Sequence, residues 1–457
     1  MAVQRATPDD MRDVFSCAIS DMYRAEVPQY GALVHLGADV NVEPLRADPE
    51  MRGKLTKSGE IDRLSLERHG AVRLRTSQEL FDIRRVLAVM GMHPVDYYDL
   101  SVAGVPVQST AFRPIQQEAL RRNPFWVFTS LLRLELIEDP ALHAEVATVL
   151  AARQIFKPRV LELAGLFEPD GALTQAQAEE FVREALETFR WHSDATVELI
   201  TYEKLHGAHR LLAHIVSFKG PHINHLTPRT LDIDAVQLGM PRRWISSKAV
   251  IEGPQRRKCP FLLRQTSFNA LEEHIVFRLD GCEVAAGTHT ARFGEVEQRS
   301  IAATAQGRWL YDELLAPVPR EVQIGAVDWN PSTYESELSA RFRSFPDDWA
   351  ELHSREPAFF HYSVTPAGRA SGCRGQPWTV DELIANAFLR FDPIVYEDFL
   401  PVSAAGIFQS NLGTDDQKNY AAQCSRAQFE AALEDRICAG GHGLTGAKLM
   451  HAPLQAD

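Results

Sequence analysis

Apolar residues recur along this chain in two rhythms, and the places where the rhythm changes predict its elements. Thr7-Pro8-Asp9-Asp10 combines an N-cap residue, a proline at the first helical position and acidic residues in the first turn; helical spacing then runs through Phe15 and Met22. A second helix is predicted near Tyr30 to Val42. Thr76-Ser77-Gln78-Glu79 is a capping-box pattern that leads into LFDIRRVLAVM, with Gly91 as its C-cap. Between these helices, Leu64 to Thr76 alternates with a period of two. As a strand it places His69, Ala71, Arg73 and Arg75 on one face and Gly70, Val72 and Leu74 on the other.

Further on, Val105 to Ile115 is a strand candidate despite Pro106 and Pro114, and residues 116–216 read as a mainly helical layer or insertion. Strand patterns return at Phe261 to Phe277 and Val284 to Gln298, followed by a helix from Ile301 to Leu315. Phe359 to Thr365 is a late strand, Val380 to Leu389 and Arg426 to Ile437 are helices, and residues 438–457 are glycine-rich and irregular. Strand clusters on both sides of a helical block predict an α+β protein whose sheet is completed by distant parts of the chain. Residues 1–457 are read as a single catalytic unit, although that length exceeds the roughly 250–300 residues one core usually serves, so two or three packed subregions are expected within it.

Composition narrows the function. With 61 acidic and 48 basic residues the formal charge is −13, and no concentrated basic face offsets it, which argues against nucleic acid as a partner. No apolar run approaches the roughly 18 residues of a membrane span, and the polar start MAVQRATPDD lacks a signal-peptide core, so a cytoplasmic protein without membrane attachment is expected. The six cysteines are far apart with no C-x-x-C pair, which argues against a zinc ribbon, a redox motif or a disulfide framework and suggests mostly buried thiols.

The densest polar stretch is SFKGPHINHLTPRTLDID, Ser217 to Asp234. Pro221 and Pro228 favour an extended course here, so His222 and His225 face opposite ways and only one can readily serve a given ion. His225, which shares its face with Ile223 and Thr227, is the better candidate. His206 and His209 lack the glutamate of an H-E-x-x-H site and are read as structural.

A carboxylate ligand could come from THTARFGEVEQR, where Glu295 and Glu297 share a strand face with Phe293 and His289. At about 3.3 Å per residue His289 is some 20 Å from Glu295, too far to share an ion. Arg73 follows His69 by four residues, which keeps the two on one side of either a strand or a helix. A guanidinium there suits a bidentate grip on a substrate carboxylate. His69, His225 and Glu295 would form a 2-His-1-carboxylate set with open coordination positions, the usual arrangement for non-haem Fe(II) oxygenases. The same ligands would also serve a Zn2+ or Mn2+ lyase, isomerase or hydrolase acting on a small acid, or a sensor that binds such an acid without turnover.

ERHGAVR at Glu67 to Arg73, PHINHLTPRTLDID at Pro221 to Asp234, FGEVEQR at Phe293 to Arg299 and DFLPVSAAGIF at Asp398 to Phe408 together resemble the 2-oxoadipate dioxygenase/decarboxylase family, also called hydroxyglutarate synthase. The resemblance implies a fold related to the vicinal oxygen chelate enzymes, with a curved central sheet, partly closed into a barrel and surrounded by helices. It implies Fe(II) held by His69, the second histidine of H-I-N-H, His225, and a glutamate of G-E-V-E-Q-R, placed at Glu295 with Glu297 as the alternative. Arg73 would bind the distal carboxylate of 2-oxoadipate, and Val402 and Ser403 would contact substrate through backbone amides. With O2 as co-substrate, the implied products are 2-hydroxyglutarate and CO2, a step of lysine catabolism.

Overall fold

The computed structural model describes residues 5–57, 59–101, 105–151, 153–278, 284–315, 331–371, 378–397, 426–434 and 437. Val402, Ser403 and residues 438–457 lie outside them. The chain divides into two compact units, one made of Met1–Ala249, Gln265–Glu297 and Phe399–Gly440 and the other of Val250–Arg264, Gln298–Asp398 and Gly441–Asp457. Helices and mixed sheets make up an α+β architecture.

The first unit is built on a five-stranded sheet in which the predicted alternating segment is an interior strand. Its strands are β1 (Glu67–Leu74), β2 (His93–Asp99), β3 (Val107–Arg113), β4 (Trp126–Leu132) and, after strand β5 (Asp194–Glu198) of another sheet, β6 (Leu226–Pro228). The spatial order is β2-β3-β4-β1-β6. β1 runs parallel to β4, with His69 opposite Trp126, and antiparallel to β6, with His69 opposite Thr227. β5 pairs instead with β7 (Leu271–Arg278), which pairs in turn with β8 (Val284–Arg292) in a three-stranded sheet.

Two expectations change. No sheet closes on itself among the described residues: the larger sheet ends in the three-residue β6, and β5, β7 and β8 form a separate sheet. The partly closed barrel is therefore not what these strands form. The block 116–216 is helical for most of its length, yet it also contributes β4, a central strand. WVFTSLL is buried at every position, so it lacks the alternation by which a half-exposed strand is recognised.

Helices α1 (Pro8–Glu26), α2 (Pro28–Ala47) and α3 (Ser77–Val89) pack around this sheet. Thr7 and Thr76 cap α1 and α3 as their sequences predict, and Gly91, with φ +68°, takes the left-handed position beyond α3. Glu67 of β1 ties α1 and α2 to the sheet: Ser20 donates to one carboxylate oxygen at 2.6 Å and Tyr30 to the other at 2.5 Å. The run VELITYEKLHGAHRLLAHIV breaks at His209, whose extended backbone and side chain cap the second of two short helices, Leu199–Ala208 and Arg210–Ser217.

The second unit holds an antiparallel pair, Phe360–Val364 with Leu389–Pro393, where the sequence pattern predicted helix as far as Leu389. Its core includes Phe261, Tyr311, Phe342 and Phe345, and Arg257 donates to the carbonyls of Phe342, Phe345 and Pro346. Of the cysteines described, Cys259 is buried as expected and Cys17 is exposed.

The fully buried Arg12 of α1 donates to the carbonyls of Asn123, Met90 and Ala119 at 2.9–3.0 Å, where α3 and the helix Gln117–Arg122 end. A cation there complements both C-terminal dipoles. Arg12→Met strands two buried acceptors and one half-buried one and is expected to destabilise the fold by about 3 kcal/mol, read as a lowered urea midpoint. An unchanged midpoint contradicts this role.

Candidate metal centre

β1 carries His69 and Arg73 on one face, as its alternation predicts, and the two edges of the site arrive from far along the chain. The segment before β6 delivers Asn224 and His225. Beyond β8, the chain breaks at Phe293-Gly294 and resumes as β9 (Glu295–Arg299). Gly294 is required at that break because a Cβ would lie 2.5 Å from the Phe268 ring and 2.6 Å from that of Tyr30. His289 and Glu295 therefore belong to two different strands. Glu295 and Glu297 are both buried, at 1% and 0% exposure, so this is no exposed charged edge.

Asn224 joins these segments. Its backbone N–H and side-chain amide both donate to the Ala71 carbonyl, at 2.9 and 3.1 Å, and its side-chain oxygen accepts from Arg73 at 2.8 Å. Its own carbonyl accepts from the Phe293 N–H at 3.1 Å, and the Tyr23 hydroxyl of α1 lies 2.8 Å from the carbonyls of both Asn224 and Phe293. The Glu297 carbonyl accepts from the Thr230 N–H at 2.8 Å, which joins β9 to the chain leaving β6. Gly70 is also required, since a Cβ would lie 2.6 Å from Ile223 Cδ1 and 3.1 Å from the His225 carbonyl.

These constraints bring His69, His225 and Glu295 together, each with one ligand atom within 4.8 Å of the others and all three buried. His69 stacks on Trp126 with ring centroids 4.4 Å apart, and His225 on Phe293 at 4.7 Å. Burial first, then the neighbouring His69 and Arg73, pushes the His225 pKa well down and keeps its imidazole neutral. Both ring nitrogens of His225 are buried without a hydrogen-bond partner among the described residues, which is costly unless something else is bound there. Two imidazoles and a carboxylate on one buried point fit a first-row divalent metal with open positions.

The geometry also gives the two glutamates different places. Glu295 Oε1 is 3.4 Å from His69 Nε2, whereas Glu297 Oε2 is 3.6 Å from His69 Nδ1, on the other side of the ring. At that distance Glu297 acts electrostatically rather than as a full hydrogen-bond acceptor, but a carboxylate still favours the tautomer with its proton on Nδ1. Nε2 then keeps its lone pair for a metal. Thr227 completes this corner, with its hydroxyl 3.1 Å from His69 Nε2 and donating to Glu295 Oε1 at 3.3 Å.

Of the residues named from sequence, His69, His225, Glu295 and Arg73 come together. His222 lies beside them against Trp191, His206 stays in its helix, and Val402 and Ser403 are outside the described residues. Asn224, Thr227 and Gly70 were not singled out from sequence, though all three lie inside or beside the motifs.

His225→Ala is expected to abolish stoichiometric Fe(II) binding in anaerobic titration, and Glu297→Gln to weaken it about 10- to 100-fold, the usual effect of losing a residue that orients a ligand. Wild-type affinity in either variant contradicts the assignment.

The chain is similar to known proteins over most of its length. A family model described as 2-oxoadipate dioxygenase/decarboxylase matches residues 15–411. The chain is 53% identical over 429 residues to a 2-oxoadipate dioxygenase/decarboxylase of Pseudomonas putida, covering 93% of this chain and 92% of that protein. It is 52% identical over 428 residues to one from Escherichia coli, covering 93% of each. Its fold matches the crystal structure of the hydroxyglutarate synthase in complex with 2-oxoadipate from Pseudomonas putida with TM-score 0.86 and 50% identity, over 96% of this chain and 95% of that one. A putative glyoxalase superfamily protein from Ralstonia eutropha has a more distantly similar fold, with TM-score 0.50 and 19% identity over 66% of this chain and 86% of that one. By its motifs, its family match and its extensive identity to these relatives, the chain belongs to the 2-oxoadipate dioxygenase/decarboxylase family.

Proposed function

We propose that this protein is an Fe(II)-dependent dioxygenase, acting as one catalytic unit, that decarboxylates and hydroxylates 2-oxoadipate to give 2-hydroxyglutarate and CO2. The observation that carries the reading is the convergence of His69, His225 and Glu295 on one buried point, with Arg73 four residues along the same strand face. The distant likeness to a putative glyoxalase superfamily protein supports kinship with the vicinal oxygen chelate folds.

His69, His225 and Glu295 would hold Fe(II), which would supply open coordination positions for a 2-oxo acid and O2 and the electrons for oxygen activation. The chain's own residues do the rest. Glu297 holds the His69 tautomer, and Trp126 and Phe293 stack on the two imidazoles and exclude water. Asn224 holds the Arg73 guanidinium, the charge that would take the far carboxylate of the substrate. Burial lowers the Arg73 pKa only to about 9, so it stays a cation at neutral pH. Fixing both ends of a six-carbon diacid decides which chain carbon is oxidised, since a misplacement of about 1 Å can cost about 100-fold in rate. The atoms balance without a further co-substrate: 2-oxoadipate and O2 together give 2-hydroxyglutarate and CO2.

Arg73→Ala is expected to raise the KM for 2-oxoadipate by roughly 30-fold or more in an oxygen-uptake assay, with Fe(II) binding intact. Lost metal with an unchanged KM contradicts the assigned role.

A further inference from the structure

The short strand β6 brings a hydroxyl into the ligand set. Its middle residue, Thr227, is directly opposite His69 of β1, and opposed residues on antiparallel strands project to the same face. Trp126 of β4 is opposite His69 on the other side and stacks on its ring, so the imidazole is held between two strands. Thr227 is fully buried. Its hydroxyl oxygen lies 3.1 Å from His69 Nε2 and 3.3 Å from Glu295 Oε1, and those two atoms are 3.4 Å from each other. The three form a nearly equilateral triangle.

Nitrogen and oxygen ligands lie roughly 2.1 Å from a first-row divalent ion, so two of them at a right angle stand about 3 Å apart. His69 Nε2 and Glu295 Oε1 are thus already close to the spacing that a shared ion imposes. With the His69 proton on Nδ1, facing Glu297, both atoms present lone pairs and repel each other. A hydroxyl within reach of both offsets that repulsion, and its one proton can go to either. A cation that takes the Nε2 lone pair leaves Glu295 Oε1 to receive the proton. The same hydroxyl therefore spaces the two ligand atoms before an ion arrives and braces the Glu295 carboxylate afterwards. Branching at Cβ restricts the Thr227 rotamer and keeps the hydroxyl in this place.

We propose that Thr227 is a positioning residue of the metal centre, which preorganises His69 and Glu295 for the ion through its hydroxyl and not through its packing. The proposal rests on the reading that His69, His225 and Glu295 hold Fe(II).

The test is anaerobic Fe(II) titration of the full chain and of variants that divide the properties of this side chain. Thr227→Val keeps the shape and removes the hydroxyl, whereas Thr227→Ser keeps the hydroxyl and removes a methyl group. Thr227→Val is expected to bind Fe(II) about 10- to 100-fold more weakly, the usual loss when a residue that orients a ligand is removed, and Thr227→Ser to stay within about threefold of wild type. A side chain that acts only by filling space gives the reverse order. That reverse order, or a valine variant within twofold of wild type, overturns the proposal. Thr227→Ala differs from Thr227→Ser only in the hydroxyl oxygen and must show the same weakening relative to it, so the test stands even if the valine variant fails to fold. If His225→Ala also binds Fe(II) as wild type does, the ligand assignment beneath the proposal fails as well.

Discussion

The site depends on the hydrogen bonds of a single amide residue. Asn224 donates twice to the Ala71 carbonyl, accepts from Arg73, and through its own carbonyl receives the Phe293 N–H and contacts the Tyr23 hydroxyl. Each bond contributes only about 1 kcal/mol net, but each also satisfies a buried group whose desolvation is otherwise uncompensated. Together they set β1, the His225 segment and the start of β9 at fixed distances, so the three ligand atoms converge although their residues are far apart in sequence. Gly70 and Gly294 make the close approach possible, since a side chain at either would push these segments apart.

Around this node the polar groups sort into two regions. At one end, two carboxylates flank His69 and a neutral His225 has no hydrogen-bond partner for either ring nitrogen among the described residues, a set that a divalent cation would complete. At the other, the Arg73 guanidinium is buried and held by Asn224, a cation that an anion would complete. Cation and anion sites separated along one strand suit a substrate that chelates a metal at one end and carries a carboxylate at the other. Specificity and oxidation are then aspects of the same geometry.

The local parts of this arrangement were legible in the sequence. Helix caps at Thr7 and Thr76 and the alternation of β1 are short-range signals, and the i, i+4 relation of His69 to Arg73 holds in either secondary structure. The motif blocks then identified the family. What stayed illegible was set by long-range packing. β4 is buried on both faces and so shows no alternation. The break at Phe293-Gly294 depends on Phe268 and Tyr30 crowding the backbone from elsewhere. The different places of Glu295 and Glu297 follow from which side of the His69 ring each reaches, which no spacing encodes. An open five-stranded sheet beside a separate three-stranded one likewise depends on which distant strands pair.

The central claim is that the buried ligand set supports oxidative decarboxylation rather than metal-assisted bond cleavage without oxygen. The most direct test is to load the protein with Fe(II) anaerobically, add 2-oxoadipate, and then admit 18O2 while following gas uptake, CO2 and labelled product. The account predicts no turnover before oxygen is admitted, then one O2 consumed and one CO2 released per 2-hydroxyglutarate, with label in the product's new hydroxyl and new carboxylate. Turnover of 2-oxoadipate without O2, or unlabelled product, would contradict it.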